Sequence, residues 1–142
     1  MKNSDKIEVV MATYNGSNYI AEQILSIYHQ TLRPRKLRIS DDCSKDSTLE
    51  ILSDFQELWP GWIEVICSKE RLGSSANFDK LLCMTDCPYV ALADQDDIWY
   101  PNKLETCYQI CKSQEQIYGV KTPFLVHSDL RIVDSTGVEI SH

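Results

Sequence analysis

Apolar positions along this chain change period several times, and each change marks an element. Ile7-Glu8-Val9-Val10-Met11-Ala12 is a short β-rich run closed by the turn signal Tyr14-Asn15-Gly16, which predicts a buried strand. From Asn18 onward Ile20, Ile24, Ile27 and Tyr28 recur at helical spacing, with Pro34 enforcing the stop. Leu37 to Ser40 reads as a second strand, followed by the polar loop 41–46. Ser47 with Glu50 forms a capping box for a helix carrying Ile51, Leu52, Phe55, Leu58 and Trp59 on one side, ended by Pro60-Gly61.

Ile63 to Cys67 is a third strand. Ser74-Ser75 caps a helix to about Met84, with Phe78, Leu81 and Leu82 inward. Pro88 leads into a fourth strand, Tyr89 to Ala93, whose polar tip is Asp94-Gln95-Asp96-Asp97. Pro101 suits a first helical position and opens a helix to roughly Ser113. Phe124 to His127 and Arg131 to Asp134 read as short strands, with Ser135-Thr136-Gly137 as a turn. Strands alternating with helices predict an α/β fold, a mostly parallel sheet flanked by helices. The 142 residues suit one domain, and no closing element follows the last strand.

Composition removes several function classes. With 43% hydrophobic and 25% charged residues the chain is ordinarily globular rather than disordered. A net charge of -7 opposes nucleic-acid binding, which needs a basic face. A small phosphorylated ligand stays compatible, because a metal ion supplies positive charge locally. No apolar run reaches the ~18 residues of a membrane span. The expectation is a cytoplasmic protein with no transmembrane segment in this chain, free to sit peripherally at the inner membrane surface. Cys83/Cys87 and Cys107/Cys111 are each spaced by four, but lack the histidines and knuckles of zinc sites. Six reduced thiols with structural, buried places are the expectation.

In open parallel sheets ligands bind beyond the carboxyl ends of the strands. Here those ends carry Thr13-Tyr14-Asn15, Ser40-Asp41-Asp42 and Asp94-Gln95-Asp96-Asp97. Three carboxylates in four residues offer hard oxygen ligands for Mg²⁺ or Mn²⁺. An extended tip would aim Asp94 and Asp96 the same way. A calcium loop is excluded, since Ile98 and Trp99 stand where Asp or Asn and Gly are needed. The competing structural reading has Asp96 and Asp97 favouring a helix N-terminus. Asp42 either caps a helix or accepts the imide N–H of uracil or thymine, and Tyr14 either packs or stacks on a base.

Together these segments resemble the family 2 glycosyltransferases of the GT-A fold. The matching pieces are Val9 to Gly16, Ser40 to Thr48, Leu72-Gly73-Ser74-Ser75-Ala76-Asn77-Phe78, and Ala91 to Trp99 with Pro101 and Lys103-Leu104-Glu105. The Asp-Gln-Asp-Asp-Ile-Trp version, with the later His127-Ser128-Asp129-Leu130, is similar to the bacterial rhamnosyltransferase-type branch. The resemblance covers residues 7 to 105 and thins beyond.

It implies a nucleotide site of Ala12, Thr13, Tyr14, Asp42, Asn77 and Asp94. It also implies a metal motif of Asp94 and Asp96, with Asp96 the direct ligand. Many relatives carry Arg just before the Asn77 position; Ala76 stands here, and Lys80 is the substitute, set against a solvated helix face. The implied reaction is inverting transfer from a dTDP- or UDP-sugar to a glycan or lipid-linked acceptor hydroxyl, in polysaccharide or cell-surface glycan synthesis. The catalytic base and acceptor site are expected beyond residue 142, so no base is assigned and Asp129 is not promoted to one. Two alternatives remain: a sugar nucleotidyltransferase, for which one glycine after the first strand is too few, and a non-catalytic nucleotide-binding module.

Overall fold

A computed structural model of the chain describes residues 6–134 and 138–140. Four strands form one sheet: β1 (Ile7–Thr13), β2 (Lys36–Asp41), β3 (Ile63–Cys67) and β4 (Tyr89–Ala93). Helices α1 (Ile20–Tyr28), α2 (Thr48–Leu58), α3 (Ser74–Met84) and α4 (Lys103–Tyr118) follow them in alternation. All three pairings are parallel, in the order β3-β2-β1-β4. The α/β expectation is therefore met for the first four strands, with β1 and β2 each running to one residue beyond the expected end.

The first three strands step outward in one direction, and β4 returns to the far side of β1. The switch in direction falls between β1 and β4, where Met11 pairs with Ala93. Crevices at such points are where open parallel sheets bind ligands. β1 is buried along nearly its whole length, as a central parallel strand must be. Val9, Val10, Met11, Leu37 and Ile39 form the sheet's core with Ile20, Ile24 and Ile27 of α1, Leu52 of α2 and Leu81 of α3. Each such side chain contributes about 1.5–3 kcal/mol by leaving water.

Helix details depart from the hydrophobic pattern. Leu58 and Leu82 are exposed, whereas Thr48, Gln23 and Asn77 are fully buried. Ser47 makes no capping bond; Asp46 does that work instead, its Oδ1 accepting from the Thr48 N–H at 3.1 Å. α3 likewise starts after Gly73, at φ 81°, with no side-chain cap from Ser74 or Ser75. Pro101 lies in a turn and α4 begins at Lys103, continuing five residues past Ser113.

The single-domain expectation meets a chain that divides into two compact units, Met1–Glu105 and Thr106–His142. In the second unit the strand expected at Phe124 to His127 does not form, and the one at Arg131 to Asp134 reduces to an antiparallel bridge of Val133 with Glu139. Without a neighbouring strand to bond, a short β-prone run does not hold an extended ladder by itself. The turn 135–137 lies outside the described residues.

Candidate functional site

The carboxyl ends of β1 and β2 are built as one rigid shelf. Asn15 turns the chain in the left-handed region (φ 48°), which Asn tolerates well. Its N–H donates to Ser44 Oγ at 2.9 Å, and its Oδ1 accepts from the Lys45 N–H at 2.8 Å. Gly16 N–H donates to Thr48 Oγ1 and Ser17 N–H to Asp46 Oδ2. Burial alone would raise the Asp46 pKa, but hydrogen bonds from Thr48 and Ser17 bring it down to about 2. Asp41 is fully buried and accepts both the N–H and the hydroxyl of Ser44.

Asp42 does not cap α2. Its Oδ1 accepts the Leu72 N–H at 2.7 Å and its Oδ2 the Gly73 N–H at 3.0 Å, which fastens the loop before α3. Burial pushes its pKa up, but the Leu72 N–H, Asn77, the Gly73 N–H and Arg71 outweigh it and hold the carboxyl below its ordinary value. A carboxylate has about four acceptor positions, and with Asn77 bonded to it as well one remains for a ligand. Arg71, unsingled by the sequence, lays its guanidinium 3.6 Å from the Tyr14 ring centroid, with Nε 3.6 Å from Asp42 Oδ2. It supplies a cation that neither Ala76 nor Lys80 brings to this site. A charged residue two positions before a glycine in a polar loop has no periodicity to reveal it.

Asn77 is fully buried: its Oδ1 accepts from Ser40 Oγ at 2.7 Å and its Nδ2 donates to the Gly73 carbonyl at 2.9 Å. It anchors the same loop from below.

Beyond β4, the tetrad is a turn rather than an extended tip. Asp94 and Asp96 nonetheless both line one cleft of about 310 Å³, together with Ala12, Thr13, Tyr14, Asp42, Arg71 and Asn77. Every residue proposed from the sequence for nucleotide or metal thus borders a single volume, of the size small-ligand sites have. Asp97 is not among the lining residues. Burial first, then the neighbouring charges of Asp94 and Asp96, raise its pKa against the opposing pull of Lys103. Gln95, between the two aspartates, points back toward β1 and bonds to Thr13 and Tyr14.

Three polar side chains on or just past α1 hold the segment that follows β4. Gln23 Nε2 donates to the Asp94 carbonyl at 2.9 Å, and Ser26 Oγ accepts the Trp99 N–H at 3.1 Å. Gln30 Nε2 donates to the Tyr100 carbonyl at 2.7 Å while its Oε1 accepts the Leu104 N–H at 2.9 Å. Residues 23 and 26 share one face of α1 by their spacing, and Gln30 follows two residues beyond the helix end.

The cysteines are all free, and none is buried: Cys67 and Cys83 are exposed and the rest half-buried, which corrects the expectation of buried thiols. Glu8, Asp86 and Cys87 do gather within 4.8 Å at the opposite end of the sheet. Arg35 already stands among them, 3.7 Å from Cys87 Sγ, 3.8 Å from Asp86 and 3.9 Å from Glu8. Glu8 is also paired with Arg38 at 3.0 Å, so this cluster is an ion-pair network built on the buried Glu8, with Arg35 and Asp86 at its exposed rim. No helix among the described residues is long and apolar enough to cross a membrane.

A helix-flanked parallel sheet with an acidic cleft at its switch point defines a Rossmann-like α/β domain of the GT-A type. The chain belongs to glycosyl transferase family 2, whose description matches residues 8–124. It is 40% identical over 99 residues to the dTDP-rhamnosyl transferase RfbG of Shigella flexneri, covering 67% of this chain and 34% of that protein. It is 32% identical over 99 residues to the putative teichuronic acid biosynthesis glycosyltransferase TuaG of Bacillus subtilis, covering 70% and 39%. The chain therefore spans between a third and two fifths of the length of these relatives. A mannosyltransferase of Pyrobaculum calidifontis, solved with GDP-Man and Mn²⁺, shares the fold at TM-score 0.69 and 23% identity, over 76% of this chain and 32% of that one.

Proposed function

We propose that this chain is the donor-binding part of a glycosyltransferase. It would take a dTDP- or UDP-sugar and pass the sugar, with inversion, to the hydroxyl of a glycan or lipid-linked acceptor in cell-surface polysaccharide synthesis. One observation carries the reading: Tyr14, Asp42, Arg71, Asp94 and Asp96 border the same cleft although they come from four separate loops. An aromatic ring, a carboxylate with an acceptor position to spare, a guanidinium and a carboxylate pair are the complementary parts for a base, its imide and a diphosphate. The Shigella relative is a dTDP-rhamnosyl transferase, and a dTDP donor agrees with a thymine or uracil base.

The donor set suits a hard divalent ion, Mg²⁺ or Mn²⁺. Three carboxylates, Asp42, Asp94 and Asp96, line the cleft and outnumber the single Arg71 cation, so a diphosphate needs added positive charge. Asp94 and Asp96 would hold the ion, Asp96 directly. A bound divalent ion supplies Lewis-acid stabilisation of the negative charge that grows on the departing diphosphate. Tyr14 would stack on the base, Asp42 would accept its imide N–H, and the backbone of Ala12 and Thr13 would border the ribose. Arg71 would neutralise further charge beside the base. The base that deprotonates the acceptor is assigned to the remainder of the longer relatives, so this chain alone would bind donor and transfer little or no sugar.

A thermal-shift panel tests the reading. UDP and dTDP with Mn²⁺ should raise Tm more than ADP or GDP with Mn²⁺, because only native-state binders stabilise by mass action. Equal shifts for all four nucleotides would sink the base assignment, and no shift with any would sink the donor site.

A further inference from the structure

The amide of Gln95 is bonded to the backbone of the neighbouring loop as a strand would be. Its Oε1 accepts the Tyr14 N–H at 2.9 Å and the Thr13 hydroxyl at 2.7 Å, while its Nε2 donates to the Tyr14 carbonyl at 3.2 Å. Both backbone polar groups of one residue, Tyr14, are thus met by one side chain. The hydrogen-bond pairing of β1 with β4 stops at Met11 and Ala93; Gln95 adds one more rung beyond the last backbone pair.

The chain leaves room for this side chain and nothing larger. A Cβ placed on Gly16 would come within 2.9 Å of Gln95 Cδ and nearer still to Oε1. Gly16 is absent a side chain where the Gln95 amide passes, and the fit therefore involves both loops. From the other side, Gln23 fixes the carbonyl of Asp94, the residue before Gln95.

From this geometry we infer that Gln95 is a positioning residue: it locks the Asp94–Asp96 turn to the Thr13–Tyr14 loop across the switch point, so that metal and nucleotide contacts form as one unit. The inference rests on the donor-site reading above. A turn bearing two cleft carboxylates would otherwise be pushed open by their mutual repulsion. The side chain between them borders the same cleft but is bonded to Thr13 and Tyr14 and is uncharged, so it ties the turn down without adding to that repulsion. Asp94 and Asp96 serve the ion, Tyr14 serves the base, and Gln95 sets the distance between them. Binding at either place then favours the other, and by linkage the coupling is reciprocal.

Gln95→Met keeps the length and volume of the side chain and removes both hydrogen-bonding groups. Two measurements on the full chain decide the matter: amide hydrogen exchange of the ligand-free protein by NMR, and calorimetric Kd for UDP with and without Mn²⁺. The expected result is that the Tyr14 amide exchanges about tenfold faster in the variant while Val9 and Val10 in β1 keep their protection. The factor by which Mn²⁺ tightens UDP binding should fall about tenfold, with metal-free UDP binding altered by no more than about twofold. Unchanged Tyr14 exchange, or an undiminished Mn²⁺ factor, overturns the positioning role. Faster exchange at every core amide overturns it in favour of a merely structural one. A wild-type chain that binds UDP no better with Mn²⁺ fails the donor-site reading itself, and takes this inference with it; a wild-type response shared by the variant fails only the inference.

Discussion

The guanidinium of Arg71 covers the face of the Tyr14 ring at 3.6 Å from its centroid. An exposed cation–π contact of this kind contributes about 0.5–1 kcal/mol, so the side chain can leave the ring when a base arrives. Tyr14 is in this way kept as a flat, sheltered surface bordering the cleft, next to the carboxylate of Asp42.

Arg71→Ala is expected to leave thermal stability within about 1 kcal/mol of the parent, since Arg71 is largely exposed. It should weaken UDP or dTDP binding by about tenfold and flatten its salt dependence, as loss of a charge-assisted contact does. Calorimetry at two ionic strengths measures both. Tighter binding in the variant would mean that Arg71 only blocks the ring.

Asp42→Asn has two effects to separate. The sequence alone suggests weaker nucleotide binding with the fold intact. The structure adds a cost, because Asp42 accepts from two backbone N–H groups and an amide can face only one of them with oxygen. Urea denaturation should show a loss of about 1–3 kcal/mol without ligand. UDP affinity should fall as well, and preserved affinity at reduced stability would confine Asp42 to fastening the loop.

Among the acidic residues of the turn, Asp96→Ala should abolish the Mn²⁺-dependent part of nucleotide binding. Ligand-free stability should stay equal or rise slightly, because one repelling charge is gone. Asp94→Ala should act the same way less completely, and Asp97→Ala least, as Asp97 does not line the cleft. A full Mn²⁺ response in Asp96→Ala, measured by calorimetry, would reassign the metal ligands.

Gln30→Leu tests the buried amide just past the end of α1. It would strand the Leu104 N–H, while the Tyr100 carbonyl keeps the Lys103 N–H as a donor at 3.0 Å. A stranded buried group costs about 1–3 kcal/mol, so urea denaturation should register a loss of about that size. A change under 1 kcal/mol would show that water replaces the amide.

Acid titration bears on Asp46, whose native pKa of about 2 lies below the ordinary 3.8. A depressed carboxyl contributes stability that is complete above its unfolded pKa and is lost as pH falls through the native one. Stability of the parent should therefore decline between about pH 4 and pH 2 more steeply than that of Asp46→Asn. Parallel pH curves for the two proteins would mean that folding leaves the Asp46 carboxyl at its ordinary pKa.

The sequence exposes the strands well because a central parallel strand must be apolar on both faces, and Val9-Val10-Met11 has no other reading. Clustered aspartates at strand ends stand out for a similar reason, since nothing in packing rewards them. The roles of the buried glutamines were illegible: Gln23 shares the inward face of α1 with Ile20, Ile24 and Ile27 and Gln30 lies just past its end, but only the arrival of residues 94–105 supplies the groups they bond. Leu58 and Leu82 mislead in the opposite sense, apolar by type yet exposed at 63% and 41%.

By itself the sequence determined the alternation of strands and helices and the set of carboxylates at strand ends, because periodicity, turn residues and capping act over a few neighbouring positions. It did not determine which strands become neighbours. The order β3-β2-β1-β4 brings Gln95 to Thr13 across 82 residues of chain, and Arg71 to Tyr14 across a loop fastened by Asp42. Those meetings depend on backbone pairing and burial that every strand supports about equally in isolation, so only the assembled sheet selects among them.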